Sequence, residues 1–176
     1  MTHFRLAACA AACLILFPVA ALAHVTLETG EAPADGYYKA VLRVPHGCEG
    51  APTTAIRVQI PAGVKQAKPM PKPGWQLAVK KEKLAQPYDW YGTQVTEDVR
   101  EISWSGGNLP DAFYDEFVFR AKLPDAAGQV IRFPVIQTCA TGEAKWIEIP
   151  AAGAAEDSVE HPAPSLKLGP KAANDD

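Results

Sequence analysis

Apolar side chains recur at every second position over most of the chain beyond residue 24. This alternation is typical of β-strands, because neighbouring side chains on a strand point to opposite faces of the sheet. The sixteen prolines scattered through the sequence are incompatible with long helices. The pattern predicts about eight short strands, at residues 25–28, 38–44, 56–60, 75–79, 102–104, 113–123, 131–135 and 147–149.

Turn-forming Gly, Pro, Asn and Asp residues separate these strands, and no helical pattern lies between them. We therefore predict an all-β fold, an antiparallel β-sandwich of immunoglobulin-like or fibronectin-like topology, in one domain over residues 24–168. Residues 150–160 are predicted to form a loop, 163–168 a possible last strand, and 169–176 a flexible tail. The basic run Lys80 to Lys83 is predicted to be a solvated turn.

The first 23 residues have the composition of a cleaved secretory signal peptide. Arg5 precedes an apolar stretch, and Ala21 and Ala23 fill the small positions before a cleavage site. The alternative is a lipoprotein box ending at Cys9, although only five residues precede that box. We expect cleavage before His24 and a periplasmic or secreted protein.

Cleavage there would make His24 the first residue of the mature chain. Its free α-amine and its Nδ1 could then bind one cation in a six-membered chelate ring, an arrangement known as a histidine brace. Amine and imidazole nitrogens favour copper over the other common divalent metals. His24 is therefore the first candidate metal ligand.

The charge and cysteine content narrow the function further. Without Arg5 the formal net charge of −3 becomes one unit more negative, and no dense basic cluster remains, which argues against nucleic-acid binding. Cys48 and Cys139 are predicted to form a disulfide, because an exported protein meets an oxidising compartment. The alternative is a copper(I) site built from cysteine and the adjacent His46.

Strand alternation gives the orientation of two further candidates. If Phe117 points into the core, Glu116 points outward and is available as an anionic copper ligand. If Ile147 and Ile149 point inward, Trp146 also points outward, where it could shield a metal or pack across strands.

Three other residues are rivals for the site. Glu28, on the first strand, is the main alternative to Glu116 as the carboxylate. His46 could bind metal, but its place in a tight turn beside Cys48 favours a structural role. His161 is predicted to be a lone exposed histidine and is discounted.

Several segments resemble the YcnI-like domain family of bacterial copper proteins. They are the run from Leu42 to Thr54, which contains Val-Pro-His-Gly-Cys, the run Pro71 to Trp75, and Glu116 to Phe119. The resemblance extends over residues 24–168. It implies an extracytoplasmic β-sandwich that binds one copper(II) through a single-histidine brace.

The resemblance also implies the site residues: His24 and Glu116 as ligands, with Trp146 nearby. Family members often carry a C-terminal membrane helix, and this chain has no such segment before Asp176, so we expect a freely soluble form.

The expected function is copper(II) trafficking or buffering, without enzymatic activity. Expected partners are the copper ion and other periplasmic copper-handling or membrane copper-transport proteins. A rival is a copper-dependent polysaccharide monooxygenase, which needs a second brace histidine that only His46 or His161 could supply. The other rival is a metal-free interaction domain.

Overall fold

The structure is a computed structural model that describes residues 24–173. The predicted signal peptide, with the alternative lipoprotein box at Cys9, lies outside the described residues, as do residues 174–176 of the predicted tail.

Strands make up nearly all of the regular secondary structure of the described chain, which contains no α-helix between residues 24 and 173. Its strands are β1 (Thr26–Leu27), β2 (Glu31–Pro33), β3 (Tyr37–Val44), β4 (Thr53–Gln59), β5 (Lys65–Pro69), β6 (Gln76–Trp90), β7 (Thr93–Leu109), β8 (Asp115–Lys122), β9 (Val130–Arg132), β10 (Val135–Cys139), β11 (Glu143–Trp146) and β12 (Ser165–Gly169). The predicted loop at 150–160 holds only a single 3₁₀ turn, Glu156–Ser158.

The strands form three sheets. Four strands pair in the order β1-β3-β8-β5, five in the order β11-β10-β4-β7-β6, and three in the order β2-β12-β9. All strand pairings are antiparallel except that between β2 and β12. The prediction of an all-β fold built on antiparallel pairing is confirmed for the described residues.

One hydrophobic core contains residues from all three sheets. Trp104 of β7 and Phe117 of β8 are wholly buried, and their rings meet edge to face at 5.6 Å between centroids. The indole Nε1 of Trp104 also donates a hydrogen bond to the carbonyl of Met70, 3.1 Å away, just after β5. Burial of Trp104 and Phe117 therefore holds the two larger sheets together, and each of these side chains contributes about 2 to 3 kcal/mol to the free energy of unfolding. The hydrogen bond of the indole N–H means that no polar group is left unpaired at this contact.

The predicted turn at Lys80 to Lys83 is wrong. These residues lie within β6, which pairs with β7 in a hairpin of fifteen and seventeen residues. Tyr91 and Gly92 join the two strands with φ of 50° and 81°, as the tight turns favoured in hairpins require. Most residues of β6 are exposed, so neither face of this strand needs apolar side chains. The alternation of apolar and polar residues that would have identified the strand is therefore absent from its sequence.

The predicted orientation of Trp146 is also wrong. Trp146 is buried at 5% exposure, while Ile147 and Ile149 are 44% and 69% exposed. The register explains the reversal, because Trp146 lies opposite the wholly buried Val135 of β10, and directly paired residues share a face.

Candidate metal centre

His24 lies immediately before β1, with its ring against Trp146 at the end of β11. The imidazole and indole centroids are 5.8 Å apart and the ring planes are inclined by 55°. The Nε2 atom of His24 is buried and has no hydrogen-bond partner among the described residues. The structure therefore brings together two of the predicted site residues and leaves one histidine nitrogen without a partner.

Trp146 is held in place by a buried polar side chain that the sequence analysis missed. The indole Nε1 donates to Oε1 of Gln137 at 3.0 Å, and Gln137 is wholly buried. Gln137 in turn donates through Nε2 to the carbonyl of His46 at 2.7 Å and to Oγ1 of Thr53 at 2.8 Å. One amide thus orients the indole and the loop that carries His46.

A signal for Gln137 was present in the sequence. Val135, Gln137 and Cys139 occupy alternate, inward-facing positions of β10, and the middle one is polar. A buried amide needs hydrogen-bond partners, so a polar residue at a core position indicates a local polar network.

The loop after β3 is rigidly anchored. Cys48 and Cys139 form a disulfide across a separation of 91 residues, as predicted. The amide of Gly47 donates to Oδ1 of Asp111 at 2.9 Å. A Cβ at Gly47 would lie 1.9 Å from the carbonyl oxygen of Ala51, so only glycine fits this close approach.

A cavity of about 470 Å³ opens beside this loop. Every histidine of the described residues lines it: His24, His46 and His161. The prediction that His161 is a lone exposed histidine is wrong, because His161 is partly buried and its ring lies 4.8 Å from that of Trp146. Four segments that are distant in sequence therefore meet at one cavity.

The cavity also holds three acidic residues that the sequence analysis did not consider: Glu49, Glu143 and Glu160. Their carboxylates make its lining acidic, which favours cations. Still, no group of three or more His, Cys, Asp or Glu side chains within residues 24–173 is arranged to hold a metal ion.

Glu116 lies elsewhere on the surface, on the outer face of the four-stranded sheet. Its side chain is 39% exposed, which confirms its outward orientation. Oε1 of Glu116 is 3.6 Å from Nε of Arg43, and Nη2 of Arg43 is 2.9 Å from Oε1 of Glu28. Both predicted carboxylates thus share one guanidinium, and neither lines the cavity beside His24. The ligand role of Glu116 stays a prediction.

His46 is engaged within its own loop. Its Nδ1 is 2.6 Å from the carbonyl oxygen of Gly47. The main chain of His46 is held from the other side by Gln137. This is consistent with the structural role that its position in a tight turn favoured.

The part of the chain that the structure describes contains no helix long and apolar enough to cross a membrane.

Comparisons with known proteins cover most of the chain. Residues 24–168 match the family described as Domain of unknown function (DUF1775). A curated relative, Copper-binding protein CutI of Bacillus subtilis (strain 168), is 27% identical over 114 residues, which are 65% of this chain and 50% of the relative. The chain thus spans about half the length of the curated relative it matches.

A solved structure confirms the predicted immunoglobulin-like fold. An uncharacterized protein from Nocardia farcinica, described as having an immunoglobulin-like fold, is 31% identical to this chain with a TM-score of 0.62. The match covers 83% of this chain and 98% of the Nocardia protein.

Proposed function

Because this chain belongs to the family described as Domain of unknown function (DUF1775), we propose that it is an extracytoplasmic copper(II)-binding protein. Membership, together with the similarity to CutI, confirms the resemblance to the YcnI-like family. The name of that relative, a copper-binding protein, supports copper as the metal. The role we propose is copper trafficking or buffering, without catalysis.

The observation that carries the proposal is the position of His24. Its ring packs on Trp146 at the edge of an acidic cavity, and its Nε2 is buried without a hydrogen-bond partner among the described residues. A brace uses the other ring nitrogen, Nδ1, with the α-amine, so burial of Nε2 does not oppose chelation. The second nitrogen comes from the main chain, so the brace needs no cluster of side chains.

The residues around His24 fit copper(II) chemically. Nitrogen donors from one residue would hold the ion, and carboxylates would offset its charge. Trp146 would cover one side of the site and exclude water from it. In our proposal Glu116 remains the anionic ligand that the family resemblance implies, which requires its carboxylate to leave Arg43.

A copper(II) titration tests this function. Protein that begins at His24 is expected to bind one equivalent with a nitrogen-rich electron paramagnetic resonance spectrum, and to lose tryptophan fluorescence because the paramagnetic ion lies near Trp146. The His24→Gln variant should bind far more weakly. Trp146→Phe is the matched control: it should keep the stoichiometry and lose most of the quenching. Binding by His24→Gln that equals that of the native protein would contradict the proposal.

A further inference from the structure

The two imidazoles nearest to Trp146 come from opposite ends of the domain. The ring centroid of His24 is 5.8 Å from the indole, and that of His161 is 4.8 Å from it. Both rings line the same cavity. A single buried indole therefore lies against two imidazoles that are far apart in the sequence and close together in the fold.

The backbone of His161 is fixed although it follows an exposed loop. Its amide donates to Oε2 of Glu148 at 2.6 Å, and its carbonyl accepts from the amide of Glu148 at 3.0 Å. The amide of Ala163 donates to the carbonyl of Glu148 as well, at 2.8 Å. These bonds place His161 beside Trp146 independently of any metal.

The imidazole of His161, unlike its backbone, is not held by hydrogen bonds among the described residues. Within residues 24–173, its ring contacts Trp146 but makes no hydrogen bond or ion pair. The ring of His46 differs, since its Nδ1 lies 2.6 Å from a carbonyl oxygen and its loop is closed by the disulfide. Of these two histidines, His161 has the ring that can turn toward a metal without breaking a hydrogen bond.

We propose that His161 is a second imidazole ligand of the copper ion bound at His24. The site would then have three nitrogen donors: the α-amine and Nδ1 of His24, and one ring nitrogen of His161. Imidazole is a good ligand for copper, and rotation about the side-chain bonds of His161 moves its ring within the cavity while its backbone stays hydrogen-bonded. This inference rests on the proposed function of His24.

Pulsed electron paramagnetic resonance can test it, because the remote nitrogen of each coordinated imidazole modulates the echo. Protein that begins at His24 and carries one equivalent of copper(II) is expected to show two coordinated imidazoles. His161→Gln should show one, and its copper affinity, measured by competition with a chelator, should fall by about tenfold or more. His161→Phe keeps an aromatic ring against Trp146 without a donor nitrogen, and should behave as His161→Gln does.

His46→Gln is the matched control, since it removes an imidazole from the same cavity. It should keep both the two-imidazole signal and the native affinity. A single imidazole in the native protein, or a second imidazole that is lost with His46 and kept in both His161 variants, would overturn the inference.

These outcomes are separable from failure of the proposed function. If His161 is not a ligand, its variants match the native protein while blocking of the α-amine still weakens binding. If the brace itself is wrong, blocking the α-amine changes nothing, whatever the His161 variants do.

Discussion

Arg43 connects the two carboxylates that compete for the role of copper ligand. It lies 2.9 Å from Glu28 and 3.6 Å from Glu116 on the outer face of the sheet. All three side chains are substantially exposed, so each ion pair is worth less than about 1 kcal/mol. Either carboxylate can therefore be neutralised without harming the fold, which makes the pair a clean test of ligand identity.

We predict that Glu116→Gln weakens copper(II) binding and that Glu28→Gln does not. The reason is that an amide cannot offset the charge of the ion, while both variants lose the same partner, Arg43. Copper titration with a thermal unfolding control measures this. If only Glu28→Gln weakens copper(II) binding, the carboxylate ligand is Glu28 and not Glu116. If neither variant has an effect and Glu49→Gln does, the carboxylate comes from the cavity instead.

Gln137 provides a second test at the scale of single residues. Gln137→Leu leaves the buried indole N–H of Trp146 without its partner, which should cost about 1 to 3 kcal/mol, and removes a donor from the partly buried carbonyl of His46. We expect a lower unfolding temperature and a shifted tryptophan emission. The cost should shrink when Gln137→Leu is combined with Trp146→Phe, because the indole donor is then absent. Equal costs in both backgrounds would show that the indole hydrogen bond contributes nothing.

A polar cluster holds the half of the β6–β7 hairpin that lies nearer its turn. Asp98 is 5% exposed and accepts a hydrogen bond from the hydroxyl of Tyr88 at 2.6 Å and from the amide of Gln66 at 2.9 Å. Burial, followed by the hydrogen bond to Asp98, raises the pKa of Tyr88 from 10.0 to about 12. A raised pKa means that the folded state holds the proton more tightly. The resulting stability is full below pH 10 and is lost as the pH rises through 12.

We therefore predict that amide exchange protection of β6 and β7 falls between pH 10 and pH 12 more than protection of the core strands does. Tyr88→Phe should lower this protection already at neutral pH, because Asp98 loses a donor, and should remove the extra alkaline loss. The pKa of Tyr38 is also raised to about 12, chiefly by burial, so global stability is not a suitable readout. Alkaline loss of hairpin protection that is unchanged in Tyr88→Phe would exclude the Tyr88–Asp98 contact as its cause.

The disulfide leads to a prediction about the loop after β3, which carries Cys48. Cys48 and Cys139 should be unreactive to thiol reagents until they are reduced. Replacing both by Ala should lower stability by up to about 4 to 5 kcal/mol, since a separation of 91 residues is no longer closed. Copper(II) binding should persist, because Asp111 and Gln137 still hold the loop. Loss of copper with the thiols would favour the copper(I) alternative.

Strands with one buried face were predictable and strands with two exposed faces were not. In β3 and β8 the core residues stand at every second position, and the sequence shows this period directly: Tyr38, Ala40, Leu42 and Val44 in β3, then Phe117, Phe119 and Ala121 in β8. The outer half of β6 has no buried face, so the alternation that identifies a strand is absent there. The orientation of Trp146 was predicted wrongly for another reason. Trp146 is followed by the apolar Ile147, and only the pairing of Trp146 with Val135 decides which of the two side chains faces inward.

At the scale of the whole molecule, the candidate site is a product of tertiary structure. The sequence identified His24 through the cleavage pattern and Trp146 through a family resemblance, and the structure places their rings together. Nothing local could show that His46 and His161 line the same cavity, because they lie in loops from different parts of the chain. The buried Gln137 and the disulfide between Cys48 and Cys139 then fix Trp146 and the loop of His46 relative to each other.

The central claim is that copper is bound by the first residue of the mature chain, so the most direct measurement is the affinity of two proteins that differ only at the α-amine of His24. Both begin at His24, and in one of them the α-amine is acetylated, which turns it into an amide nitrogen and breaks the chelate ring. We predict that the acetylated protein binds copper(II) more weakly by well over about tenfold in a chelator competition, with unchanged thermal stability in the absence of metal. Equal affinities would contradict the brace.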